Sequence, residues 1–365
     1  MKVAFRTDAS LQIGTGHVMR CLTLATALRD QGAEVIFITC NHEGNLDEHI
    51  KANGFAVHSL SNAGVNASRL SLVGYAQWLG VDQITDAEAT IQALGSMKPD
   101  WLIVDHYALD CTWEKKLAGS VQKIMVIDDL CDRRHDCNLL LDQNLGRSKT
   151  DYVQIVTKDC TVLTGPKYAM LRPEFSLLRE ASVKRRAAPV LKKILITMGG
   201  VDQNNATGKT LEALRSCPII KDCQITVIMG ENAPWLSDVR ERALSMPCQT
   251  AVDVGVDNMA QVMTESDLAI GAAGSTSWER CCLGLPTLII TLAENQESIA
   301  QSVVQCGAAM SLGDVGSRRF NDDLRELVSR LENDVAKLLK MSTAAARVAD
   351  GCGVARVVEI MESDI

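Results

Sequence analysis

The sequence predicts an α/β chain of two domains, each a parallel sheet covered by helices, and three observations carry that prediction. Strand-like and helix-like segments alternate in both halves of the chain. Several strand-like runs, such as "ILIT" and "LIIT", are apolar on both faces, as strands buried under helices are. The chain has 365 residues, 47% of them hydrophobic and 22% charged, enough for two cores at roughly 150 residues per domain.

Taken in order, the first half offers "KVAFR", a helix beginning near Gly16, then "VIFITC", "WLIVD" and "KIMVIDD" separated by helical patterns, with "CNLLLDQN" and "CTVLTG" as two further short strands. The pattern changes in 167–191, which is charged, carries two prolines and shows no strand alternation; it is expected to be an interdomain linker. A second alternating series follows in "KILITMGG", "QITVIMG", "DLAIGAAGS" and "TLIITLA". The expected division is therefore an N-terminal domain in 1–166 and a C-terminal domain in 192–365, facing each other.

The net charge of −8 and the lack of a basic stripe disfavour nucleic acid and anionic membranes as partners and favour a small substrate. "MKVAFRTDAS" runs straight into a strand, and no uncharged apolar run reaches the ~20 residues that span a bilayer, so a cytoplasmic location without membrane insertion is expected. The thirteen cysteines are odd in number and form no CxxC pair, which argues against disulfides and zinc; Cys281 and Cys282 read as core thiols.

In parallel sheets ligands bind beyond the carboxyl ends of the strands, so the residues that follow each strand are the informative ones. After the first strand comes "GTGHVMRC", Gly14 to Cys21. Gly14 and Gly16 let the backbone approach a ligand, but the third glycine of a dinucleotide turn is missing, and Cys40 and Asn41 stand where an acidic ribose ligand belongs. A nicotinamide cofactor is disfavoured. At the first turn of a helix the dipole opposes an imidazolium, so His17 reads as a neutral general base, with a capping or core histidine as the alternative. All six histidines lie within the first 135 residues, so a base of this kind comes from the N-terminal domain.

Asp105, His106 and Tyr107 follow "WLIV" and are expected to line the same cleft, with Asp105 as either a ligand or a helix cap. In the second domain Gly199 and Gly200 form a turn beside a phosphate or sugar, without the spacing of a P-loop. Ser275 and Thr276 open a helix where a diphosphate could sit, and Glu279 lies one turn further, suited to a ribose diol. Asn295 and Gln296 open the next helix as additional substrate contacts.

These residues belong to longer stretches: "FRTDASLQIGTGHVMRC", "IVDHY", "LLLDQN", "GPKYAMLRPEF", "MGGVD" and "GSTSWERCCLGLPTLIITLAENQ". Spread over nearly the whole chain, they resemble the UDP-2,4-diacetamido-2,4,6-trideoxy-β-L-altropyranose hydrolase family of pseudaminic acid biosynthesis, a route associated with flagellin glycosylation. The last stretch alone is also similar to the donor-nucleotide half of glycosyltransferases such as the lipid II synthase. The resemblance implies a GT-B-like fold, two Rossmann-like domains with a cleft between them, and a UDP-sugar as the small-molecule substrate. It further implies hydrolysis at the anomeric carbon with inversion, release of UDP, no metal and no other cofactor. His17 becomes the base on water. Of Tyr168, Arg172 and Glu174, which stand near the domain junction, some are expected to contact substrate, with an ordinary linker as the other reading of that stretch. Glycosyl transfer from a UDP-sugar on the same fold is the alternative.

Overall fold

A computed structural model describes residues 1–60, 74–231 and 233–364. The chain forms two compact units, Met1–Met170 with Gly353–Ile365, and Leu171–Cys352.

The first unit holds β1 (Lys2–Thr7), β2 (Glu34–Cys40), β3 (Ala56–Leu60), β4 (Trp101–Asp105), β5 (Lys123–Ile127), β6 (Leu139–Asp142) and β7 (Thr161–Thr164). They make a parallel sheet in the order β3-β2-β1-β4-β5-β6-β7. The second unit holds β8 (Lys193–Thr197), β9 (Gln224–Met229), β10 (Gln249–Val254), β11 (Leu268–Ala272), β12 (Thr287–Thr291) and β13 (Ala309–Asp314), parallel in the order β10-β9-β8-β11-β12-β13. In each sheet the strand order reverses once, between β1 and β4 and between β8 and β11. Those reversals are where a doubly wound sheet opens a crevice at its carboxyl edge.

Alternation along the strands sorts side chains onto the two faces. Val3, Phe5, Trp101 and Ile103 join one core, together with Val18, Cys21 and Leu24 of α1 (Gly16–Asp30). Ala4, Leu102 and Val104 join the other, with Ala87 and Leu94 of the helix Gln83–Leu94. The second unit's core is built from Ile194, Ile196, Val227, Leu268, Ile270, Leu288 and Ile290. Cys281 and Cys282 are buried thiols, as expected.

Two expected boundaries change. Residues 167–191 do not form a separate linker: Pro166–Tyr168 is a 3-10 turn of the first unit, and Pro173–Arg185 is a helix of the second. The charges that read as linker are hydrogen-bond donors to carbonyls of the second unit, Arg179 to Ala349 at 3.0 Å and Arg186 to Met263 at 2.7 Å. The C-terminal helix Gly353–Ser363 also leaves the second unit. Its Val357, Val358 and Met361 complete the first core, and Trp101 Nε1 donates to the Met361 carbonyl at 3.3 Å. Gly353 permits that return, because a Cβ there would lie 2.2 Å from the Ala169 carbonyl oxygen. Among the described residues no helix is long and apolar enough to cross a membrane.

Candidate active site

At the β1–β4 reversal, the alternation that builds the cores also divides the charged residues into two networks. Asp105, in phase with Trp101 and Ile103, turns toward α1. Its carboxylate is fully buried and accepts from His17 Nδ1 at 2.6 Å and from Arg20, whose Nε and Nη2 reach it at 2.6 and 2.7 Å. His17 and Arg20 stand three residues apart on α1 and so share a face. Burial alone would raise the Asp105 carboxyl, but Arg20 and then His17 outweigh it and hold it below the usual carboxylate range. Arg20 Nη1 extends the network to Asp129 at 2.7 Å, and the Tyr107 hydroxyl donates to the same Asp129 oxygen at 2.9 Å. The Tyr107 ring meets His17 edge-on at 4.6 Å and stacks on Trp78 at 5.5 Å.

Arg6 and His106 are out of phase with Asp105 and turn to the opposite face. Arg6 is fully buried between Asp8 and Asp86, at 2.7 Å from each, and Trp113 Nε1 donates to Asp86 at 2.8 Å. His106 accepts the Ala108 N–H on Nδ1 at 3.1 Å, and its Nε2 stands 3.3 Å from Asp8. Burial lowers the His106 pKa, which keeps that ring neutral. Asp8, Cys40 and His42 come within reach of a common cation. Arg6 already neutralises Asp8, however, and burial pushes the Cys40 thiol up to about 12, so the sulfur carries its proton at neutral pH.

Gly14 has φ +82°, a backbone that side chains rarely adopt, and its N–H closes the turn onto Ser10 at 2.8 Å. Gly14 is half-buried and Gly16 exposed, which leaves the start of α1 open beside His17. Asp105 is corrected from a substrate contact or helix cap to a buried holder of His17, because both its oxygens are engaged and none of its surface is exposed. Tyr107 likewise turns its hydroxyl inward, so only its ring flanks the imidazole.

At the β8–β11 reversal the surface is made of backbone. Gly199 is exposed and Gly200, Gly274, Ser275 and Thr276 are half-buried. The helix Ala206–Arg215 does not offer its first N–H groups to a ligand: Asp202 accepts from Ala206 and Thr207 at 2.8 and 2.9 Å, and Asn205 accepts from Gly208 at 3.0 Å. The helix Thr276–Cys282, by contrast, begins at Ser275 with no side-chain cap.

Beneath that helix lies Arg280, 1% exposed, which donates to the Ala272 carbonyl at 2.7 Å and to Ser277 at 3.0 Å while its Nε and Nη1 find no partner among the described residues. A Cβ at residue 271 would sit 2.2 Å from Arg280 Nη1, so Gly271 makes room for this cation in the sheet. Burial lowers its pKa to about 10, which still leaves it charged at neutral pH.

Glu279 is half-buried on the same helix, and burial raises its carboxyl against the pull of Arg172 and Arg280, with Glu174 adding to the rise. The structure thus brings together Arg172, Glu174 and Glu279, with Arg172 paired to Glu174 at 3.0 Å and bonded to the Asp257 carbonyl at 3.3 Å. Tyr168 belongs to the first unit and packs against that core. Asn295 and Gln296 lie in a 3-10 turn after β12, where Gln296 Oε1 accepts the Leu292 N–H at 3.0 Å. A cavity of about 850 Å³ beside that turn is lined by Glu294, Glu297 and Asp314, a set of carboxylates that repels a diphosphate.

Residues 194–356 match the Glycosyltransferase family 28 C-terminal domain. Across 311 residues the chain is 30% identical to the UDP-2,4-diacetamido-2,4,6-trideoxy-beta-L-altropyranose hydrolase of Campylobacter jejuni, covering 84% of this chain and 97% of that protein. The chain belongs to that hydrolase's family. The chain is also similar to an uncharacterized Methanocaldococcus jannaschii protein, 27% identical over 81% of this chain, of whose length the chain spans 57%. Among solved structures MurG of Acinetobacter baumannii superposes with a TM-score of 0.69 over 99% of both chains, at 15% identity. The fold of this family member is therefore GT-B, with the two doubly wound sheets as its α/β domains.

Sequence reasoning missed Arg20, Asp129 and Arg280 in this family member. Arg20 had a signal, since it follows His17 by three residues on one helix face. Asp129 had a weak one, as the second carboxylate of "IDD" after a strand. Arg280 had none, because only the three-dimensional packing shows that it is buried with no ion pair among the described residues.

Proposed function

We propose that the chain is a UDP-sugar hydrolase acting on a UDP-linked 2,4-diacetamido-2,4,6-trideoxy sugar, as the name of its Campylobacter relative indicates for that protein. The observation that carries the reading is His17. It is an imidazole at a strand-end crevice, with Nδ1 tied to a buried carboxylate and Nε2 without a hydrogen-bond partner among the described residues. Nε2 removes a proton from water as the water oxygen bonds to the anomeric carbon. The bond from that carbon to the diphosphate oxygen breaks, its electron pair leaves with UDP, and the configuration inverts.

The second unit supplies the nucleotide site in this reading. Ser275 and Thr276 open an uncapped helix over the cation of Arg280, and both features favour the growing negative charge of the leaving diphosphate. Glu279 accepts from the ribose hydroxyls, and Gly199 and Gly200 leave space for the phosphates. Arg172, Glu174, Asn295 and Gln296 border the sugar. No metal enters this scheme, because diphosphate is already a good leaving group. Formation of pseudaminic acid, with its use on flagellin, is the route such a product would enter, and the cytoplasm is where UDP-sugars are available.

Incubation of the protein with a panel of UDP-acetamido sugars and no acceptor, followed by NMR of the released sugar, tests the whole scheme. UDP release with an inverted anomer is the expected result. The match to a glycosyltransferase family favours transfer as the second reading, and UDP release only when an acceptor is added would establish it.

A further inference from the structure

The catalytic reading names a base; the network behind it determines which atom of that base acts. We propose that Asp105 is a positioning residue that fixes His17 in the tautomer with hydrogen on Nδ1 and the lone pair on Nε2, and that Arg20 clamps Asp105 in place as an anion. This inference rests on the reading of His17 as the general base.

The geometry leaves one assignment of the proton. An ionised carboxylate only accepts, so the 2.6 Å contact between His17 Nδ1 and Asp105 Oδ1 requires the hydrogen on Nδ1. Arg20 Nη2, 3.3 Å from Nδ1, is also a donor and cannot take that hydrogen; it donates to the same Oδ1 at 2.7 Å. Arg20 is in turn fixed by Asp129 at 2.7 Å, and Asp129 also receives the Tyr107 hydroxyl. The Tyr107 ring, 4.6 Å from the imidazole at 85°, restricts its rotation. Asp105 is fully buried and Arg20 nearly so, which keeps water from competing for either. With Arg20 holding both of its oxygens, Asp105 orients the imidazole and does not accept its proton. The arrangement follows the orienting carboxylate of other histidine bases, where a wrong tautomer is costly.

The decisive measurement needs no substitution in the network. The intact protein, labelled with ¹⁵N-histidine, gives two-bond ¹H–¹⁵N correlations at neutral pH, with the His17 signals identified by their loss in His17→Ala. The expected pattern is a protonated Nδ1 and a bare Nε2; a hydrogen found on Nε2 overturns the proposal. Asp105→Asn then presents an amide N–H either to Arg20 or to the imidazole. The expected result is a mixed or reversed tautomer and a kcat lower by about a hundredfold or more, with UDP affinity unchanged. An unchanged tautomer in a folded Asp105→Asn protein also overturns the proposal. If His17→Ala keeps full activity while the Nδ1–H tautomer is seen, the base reading fails and the positioning stands. If His17→Ala is inactive and the hydrogen lies on Nε2, the positioning fails alone.

Discussion

The two strand-order reversals are the same topological feature built from opposite materials. Between β1 and β4 the first unit packs interlocked charges, Arg6 with Asp8 and Asp86, and Arg20 with Asp105 and Asp129, all tied by bonds of 2.6 to 3.2 Å. Between β8 and β11 the second unit presents glycines, a hydroxyl pair and an uncapped helix start, with Arg280 buried below as a cation whose Nε and Nη1 are unpaired. A crowded ion network cannot admit a diphosphate, but it can hold one imidazole in one orientation. A bare backbone turn orients little by itself, yet it can surround an anion. On the proposed function, one fold used twice separates activation of the nucleophile from binding of the leaving group.

The largest test of that separation is His17→Ala, for which kcat is expected to fall by about 10² to 10⁴ while the Kd for UDP, measured by calorimetry, does not move. A collapse of UDP affinity would break the comparison at its strongest point. Next is Glu279→Ala, expected to weaken UDP binding about tenfold to a hundredfold, the range for a hydrogen bond to a charged group, with a smaller effect on kcat at saturating substrate.

Arg280→Met sharpens the contrast between binding and stability. Losing a buried cation that forms no ion pair among the described residues should leave Tm unchanged or raise it, while UDP affinity falls by up to about tenfold. A lower Tm with unchanged UDP affinity would make Arg280 a structural residue.

The smallest effect on activity is expected at Asp142, where the readout is stability. Burial, with Asp129 nearby, raises the Asp142 carboxyl from 3.8 to about 7, so the folded protein keeps a proton that the unfolded chain has released. Its contribution is favourable below about 4 and is lost as pH rises through about 7, a change of a few kcal/mol. Urea denaturation at several pH values should show Asp142→Asn gaining on the parent protein between pH 4 and 7. A pH-independent difference would refute the assignment.

Much of the fold was legible because the central strands are apolar on both faces, and "LLLD" and "TVLT" proved to be β6 and β7. The edge strands β3, β10 and β13 were not, and β10 shows why. Its burial alternates between exposed and half-buried residues in "QTAVDV", so it carries little of the apolar signal. The positions of two candidates were legible, His17 in the first turn of a helix after a glycine turn and Glu279 one turn into the helix Thr276–Cys282. Asp105 was noticed for the right location and given the wrong task, because sequence shows that a carboxylate follows a strand but not that α1 will cover it. The division between units falls between Met170 and Leu171, inside a stretch whose charges and prolines read as a linker.

The return of the helix Gly353–Ser363 to the first core sets an order of assembly. During synthesis every residue of the second unit, Leu171–Cys352, has been made before the segment that completes the first unit exists. The unit that carries His17 therefore waits, with the surface later covered by Val357, Val358 and Met361 open, until the helix Gly353–Ser363 emerges from the ribosome. The half of the molecule begun first is the half finished last.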